Sequence, residues 1–181
     1  LLNTNMKLEE SFRDASFQVV SIITTTGFVS DDYTSWHTFT TTLFFILLFT
    51  GACAGSTSGG IKIVRHLILI KNSLSEMKRQ LHPSAIIPVR FNGKAVSQTI
   101  THNIAAFILI YLLIFFVGAL VMSTMEPDFD TAVGSTIACL GNIGPGIGHV
   151  GPIDNFSKIP DFGKWFLSFL MLLGRLELFT V

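Results

Sequence analysis

The sequence predicts an all-α membrane protein built on a repeated unit of short helix, glycine-containing loop and long apolar helix. Three observations carry that prediction. Only 13% of the 181 residues are charged and 49% are hydrophobic, about half the charged share usual for a soluble domain. One uninterrupted run, Ile100 to Met122, holds no charged residue and exceeds the ~20 residues a helix needs to cross a hydrocarbon core. Two further segments, Phe12 to Ile23 and Phe129 to Leu140, are too short to cross and run into glycine-containing stretches. Overlaying Phe12 on Phe129 brings Ala15 over Ala132 and Gly27 over Gly144 without a gap. Each copy then leads to an apolar helix with an early tryptophan, Trp36 or Trp165, and that shared order is what argues for a repeat.

The remaining segments fit the same plan. The apolar stretch from Trp36 to Ile70 is far longer than one span, and Gly55-Ser56-Thr57-Ser58-Gly59-Gly60 interrupts it with poor helix formers. A third apolar run begins near Phe162. Lys62, Arg65, Lys71, Lys78, Arg79, Arg90 and Lys94 lie between the first two spans with one acid, Glu76, whereas Asp31, Asp32, Glu126, Asp128, Asp130, Asp154 and Asp161 lie on the other side. Lysine and arginine favour the cytoplasmic face, so Lys71 to Lys94 is expected inside and the acidic turns outside. Asn72 to Leu81 is expected to be a short interfacial helix ended by His82-Pro83. The chain opens on Leu1-Leu2-Asn3 and stops within an apolar run, so both ends are expected to be cut.

Several classes are disfavoured at this point. The formal net charge is zero, which offers nothing to a nucleic acid or an acidic substrate. Cys53 and Cys139 show no ligand spacing and are expected to be free, buried thiols; the five histidines are scattered, so no transition-metal site is expected. Gly146 to Gly151 spells GxGxxG, but Pro152-Ile153-Asp154-Asn155 follows where a dinucleotide site needs a helix. Gly55 to Lys62 nearly spells a phosphate-binding loop, but Ile61 displaces the lysine and no Ser or Thr follows.

A helix that enters a membrane, stops midway and returns as extended chain leaves its carbonyls unpaired, which is tolerated only in protein or beside water. Rings of such carbonyls can replace the hydration shell of a cation. Glycine is needed where the chain turns with positive φ. Thr25, Thr26, Gly27 and Phe28 suit that task, and Asn142, Ile143, Gly144 and Pro145 keep the glycine. β-Branched packing in a strand is the ordinary alternative for the threonines.

The strings TTTGF (Thr24 to Phe28), AGSTSGGIK (Ala54 to Lys62), GNIGPG (Gly141 to Gly146) and GRLE (Gly174 to Glu177) occur in family order through nearly the whole chain. Together they resemble the Trk/Ktr/HKT superfamily of potassium transporters, in its TrkH-type pore-forming branch. The resemblance implies four helix–pore loop–helix repeats around one pore, potassium-channel-like in plan, of which two are present. Residues 1–70 would be the third repeat, 71–97 a cytoplasmic linker and 98–181 the fourth. It implies a potassium ion at a filter formed by Thr25 to Phe28 and Asn142 to Pro145. A gate would comprise Gly55, Ser56, Thr57, Ser58, Gly59 and Gly60 with Arg175 facing it or the pathway. It also implies a homodimer, multi-pass in the lipid of the bacterial inner membrane, with no enzyme activity and no cofactor of its own. Nucleotide would bind only a cytoplasmic TrkA-like regulatory subunit docked around Lys71 to Lys94. Two functional readings stay open, a channel-like potassium pathway and a sodium- or proton-coupled secondary transporter with a broken-helix substrate site.

Overall fold

A computed structural model describes residues 8–56, 59–82 and 87–176. Six α-helices dominate the described residues: α1 Leu8–Ile23, α2 Thr38–Leu48, α3 Ile63–Leu81, α4 Gln98–Ser123, α5 Phe129–Leu140 and α6 Asp161–Arg175. The expected all-α class therefore needs one amendment, two pairs of two-residue strands. β1 (Thr50–Gly51) runs parallel to β2 (Ile61–Lys62), and β3 (Arg90–Phe91) forms a hairpin with β4 (Lys94–Ala95). Asn92 and Gly93 turn that hairpin at φ 51° and 77°, the backbone that an Asn-Gly pair supplies.

Helix α4 is the one helix among the described residues long and apolar enough to cross a membrane. The Ser97 hydroxyl starts it by accepting the Ile100 N–H at 3.4 Å. Ile104, Phe107, Tyr111, Phe115, Gly118 and Met122 are buried, while Leu109, Leu113, Phe116 and Leu120 stay exposed. Spacings of three and four gather the first set on one stripe, which packs inward.

Helix α5 sits at the centre, packed against both α4 and α6. Its twelve residues would reach about 18 Å, little over half a hydrocarbon core. The Asp128 carboxylate starts it by accepting from both the N–H and the hydroxyl of Thr131, which holds that carboxyl below its usual range. Thr131, Ala132 and every residue from Gly134 to Leu140 are buried. Small side chains at Ala132, Gly134, Ser135 and Ala138 let neighbouring backbones approach. A Cβ on Gly134, for example, would lie 2.4 Å from the Ile147 carbonyl oxygen. Ile22, Phe44, Leu48, Phe115, Ile137 and Leu140 join α1, α2, α4 and α5 in one apolar cluster.

Two expectations change here. The long apolar stretch breaks earlier than Gly55, because α2 ends at Leu48 with Phe49 as its cap. The chain leaves the helix there to pair Thr50 with Ile61 and Gly51 with Lys62. The Thr50 hydroxyl meanwhile satisfies the Leu47 carbonyl at 2.7 Å. Nor is Asn72 to Leu81 a separate interfacial helix: it is the second half of α3, which runs unbroken from Ile63 to Leu81. No glycine or proline intervenes in that stretch, and Lys78 and Arg79 favour its C-terminal end. The boundary drawn between residues 70 and 71 consequently falls inside one helix.

Candidate functional site

The chain leaves α1 and α5 by the same route. Thr24, Thr25 and Thr26 donate their N–H groups to the carbonyls of Val20, Ile22 and Ser21. Gly141, Asn142 and Ile143 donate in the same order to Ile137, Cys139 and Ala138, and all six bonds measure 2.8–3.1 Å. Backbone handedness repeats as well. Thr25 and Asn142 have φ of 53° and 54°, and Gly27 and Gly144 have φ of 76° and 112°, with Thr26 and Ile143 at negative φ between them. Alternation of this kind gathers successive N–H groups on one side of the chain and leaves the carbonyls to the other. Glycine and asparagine accept positive φ readily, whereas Thr25 is β-branched and holds it at a cost of about 1–2 kcal/mol.

The two loops lie against each other. A Cβ on Gly27 would stand 2.2 Å from the Ile143 carbonyl oxygen, and one on Gly144 would stand 4.0 Å from the Gly27 Cα. Thr26 exchanges a hydroxyl hydrogen bond with Thr24 at 2.7 Å. The Asn142 amide donates to the Met171 carbonyl at 3.1 Å, tying the second loop to α6. Phe28 is largely exposed and Pro145 half-buried.

The loop between β1 and β2 packs against the second of the two glycine loops. A Cβ on Gly59 would lie 2.4 Å from the Gly141 carbonyl oxygen, so the end of this loop rests on the start of the second glycine loop. Gly51 packs on the Gly59 carbonyl, and the buried Lys62 ammonium donates to the Ser56 carbonyl at 2.7 Å. Gly60 turns at φ 74°, while Gly55 stands in open space. Thr57 and Ser58 lie outside the described residues, as does Glu177. The Arg65 guanidinium sits 4.1 Å from the centre of the Phe107 ring. Arg175 is exposed at the end of α6, next to Gly174, where a Cβ would meet the Leu140 carbonyl oxygen.

Sequence reasoning passed over three contributors. Ser21, buried in α1, donates its hydroxyl to the Phe28 carbonyl at 2.6 Å. Tyr33, fully buried, donates to the Gly146 carbonyl at 2.7 Å across 113 residues of sequence. Burial first, and the Asp32 charge second, push the Tyr33 phenol well above its usual range, so it stays a donor. Gly141 carries no Cβ where one would stand 3.3 Å from the Leu48 carbonyl oxygen at the end of α2. The GxGxxG string, by contrast, is a turn that follows α5 rather than a strand, with Gly146 donating to the Val150 carbonyl at 2.8 Å.

A family profile for TrkH, described as a cation transport protein, matches residues 4–181. The chain belongs to the TrkH family. It is 39% identical over 172 residues to the Trk system potassium uptake protein TrkI of Halomonas elongata, covering 94% of this chain and 35% of that protein. It is likewise 39% identical over 171 residues to the Trk system potassium uptake protein TrkH of Escherichia coli K12, with the same two coverages. The crystal structure of the potassium transporter TrkH from Vibrio parahaemolyticus matches with a TM-score of 0.87 at 37% identity. That match covers 96% of this chain and 37% of the other. The chain thus spans about a third of the length of the curated relatives it matches.

Proposed function

We propose that this chain forms part of a potassium uptake protein of the bacterial inner membrane, in which its two glycine loops are two of four filter segments. The observation that carries the reading is the direct apposition of Gly27 on the Ile143 carbonyl, within two loops of matching handedness. Uncharged carbonyls arrayed in this way can replace the hydration shell of a cation, and irregular backbone at membrane depth is tolerated within protein or beside water. The shared hydrogen bonds support a repeated helix–pore loop–helix unit, with the remaining two segments supplied from outside this chain. Multi-pass insertion and a potassium ion at residues 25–28 and 142–145 complete the reading. In the full-length protein in vesicles, Gly27→Ala is expected to abolish the preference for potassium over sodium while insertion persists. An unchanged preference would remove these loops from the ion path.

The loop Gly55 to Gly60 then acts as a gate, with its Gly59 end seated on the base of the second filter segment and Arg175 adding positive charge nearby. Regulation would come from a cytoplasmic nucleotide-binding subunit docked on the basic face around Lys71 to Lys94, in a homodimeric assembly. Deleting Ser56 to Ser58 should raise ion flux and weaken its dependence on that subunit. Normal insertion with unchanged or abolished flux would mark the segment as a packing notch instead. The interrupted course from α2 to α3 also suits a coupled symporter with a broken-helix site. A current that reverses at the potassium equilibrium potential, whatever the sodium and proton gradients, separates the channel-like pathway from symport.

A further inference from the structure

The two glycine loops are secured by different side chains. In the first, the Ser21 hydroxyl of α1 holds the Phe28 carbonyl at 2.6 Å. The position matching Ser21 in α5 is Ala138, which has no hydroxyl to offer. The second loop carries its corresponding bond one residue further on, from a donor outside its own helix, the Tyr33 hydroxyl on the Gly146 carbonyl at 2.7 Å.

Tyr33 is fixed before it reaches Gly146. Its ring stacks on Phe44 at 4.8 Å between centroids. The turn that carries it is pinned at Asp31, whose carbonyl accepts from the Gln18 amide at 2.7 Å and whose carboxylate accepts from the Trp36 indole at 2.9 Å. Gly146 is hemmed in from the other side, since a Cβ on it would lie 2.6 Å from the Gly134 carbonyl oxygen of α5. A rigid donor therefore meets a carbonyl that has little room to turn away.

We infer that Tyr33 is a positioning residue for ion selection: its hydroxyl braces the outer end of the 141–146 segment against the 24–28 segment and so sets the spacing of the carbonyls between them. The inference rests on the filter reading above and goes beyond it by assigning a residue that lies outside both loops.

The test uses the full-length protein carrying this chain, purified with native lipid and reconstituted in vesicles, with potassium and sodium uptake measured side by side. Tyr33→Phe keeps the ring and removes the donor. It is expected to lower the potassium-to-sodium uptake ratio roughly three- to tenfold, the scale of one buried hydrogen bond. Replacement of Tyr33 by para-aminophenylalanine, which restores a donor at the same place, should return the ratio to the wild-type value. A wild-type ratio in Tyr33→Phe, or a ratio lowered equally in both replacements, overturns the inference. Should Tyr33→Phe fail to insert, the para-amino protein decides alone: a wild-type ratio supports the brace, and a lowered ratio overturns it. If the unaltered protein shows no preference between the two ions, it is the filter reading that fails, before any variant is compared.

Discussion

The loop at 24–28 and the loop at 141–146 leave their helices through the same three hydrogen bonds, yet differ in residue type at most positions. Thr24 faces Gly141, Thr25 faces Asn142, and Phe28 faces Pro145 in that alignment. What they share is backbone, namely the bond pattern and the alternating sign of φ. What differs is how each is supported, by a hydroxyl from its own helix in the first and from a distant turn in the second. Where main-chain carbonyls do the work, side chains are free to vary so long as they permit the handedness and something secures the ends. Glycine and asparagine permit it by their own preference. Thr25 is held to it by the surrounding hydrogen bonds.

The sharpest way to break the equivalence is to add one carbon to each glycine. Gly27→Ala places its Cβ 2.2 Å from a backbone oxygen that cannot move without dragging the second loop. Gly144→Ala makes only an ordinary contact, 4.0 Å from the Gly27 Cα, and suffers chiefly from its φ of 112°, a strain of order 1–3 kcal/mol. Both should lose potassium preference in vesicle uptake, with the loss at Gly27 at least about tenfold the greater. Equal losses would mean that the contact between the loops does not matter. A smaller effect tests the support itself. Ser21→Ala gives the first loop the residue that the second already has at Ala138, and removes one hydrogen bond worth about 1 kcal/mol. Its uptake ratio should fall by roughly fivefold or less. No fall at all would place the Phe28 carbonyl outside the ion path.

Much of this arrangement was legible in the sequence, and the exceptions share a cause. The length of Ile100 to Met122 and the bounds of Phe129 to Leu140 are written in local composition, and α4 and α5 follow them closely. The likeness of the two loops was signalled by Phe12 and Phe129, Ala15 and Ala132, and Gly27 and Gly144, because glycine is the residue that positive φ selects. Asn142 carried the same signal more faintly, since asparagine also tolerates that region. Thr25 carried none, because its left-handed backbone is imposed by neighbours. Tyr33 and Ser21 were invisible for a related reason: a hydroxyl that reaches across 113 residues, or back along a turn, leaves no spacing to read. The early end of α2 depends on strand pairing with Ile61 and Lys62, again a contact between distant residues. The continuity of α3 through Lys71 has no marker in the charge pattern, because charged residues sit comfortably within a helix.

In the proposed filter a cation sits among the carbonyls of these two loops. Crystals of the full-length protein grown in rubidium and measured at the rubidium absorption edge would test it directly. Anomalous peaks are expected between the main chains of residues 25–28 and 142–145, weakened when sodium replaces rubidium. Well-ordered loops without such peaks, in crystals where rubidium appears elsewhere along a pathway, would contradict it.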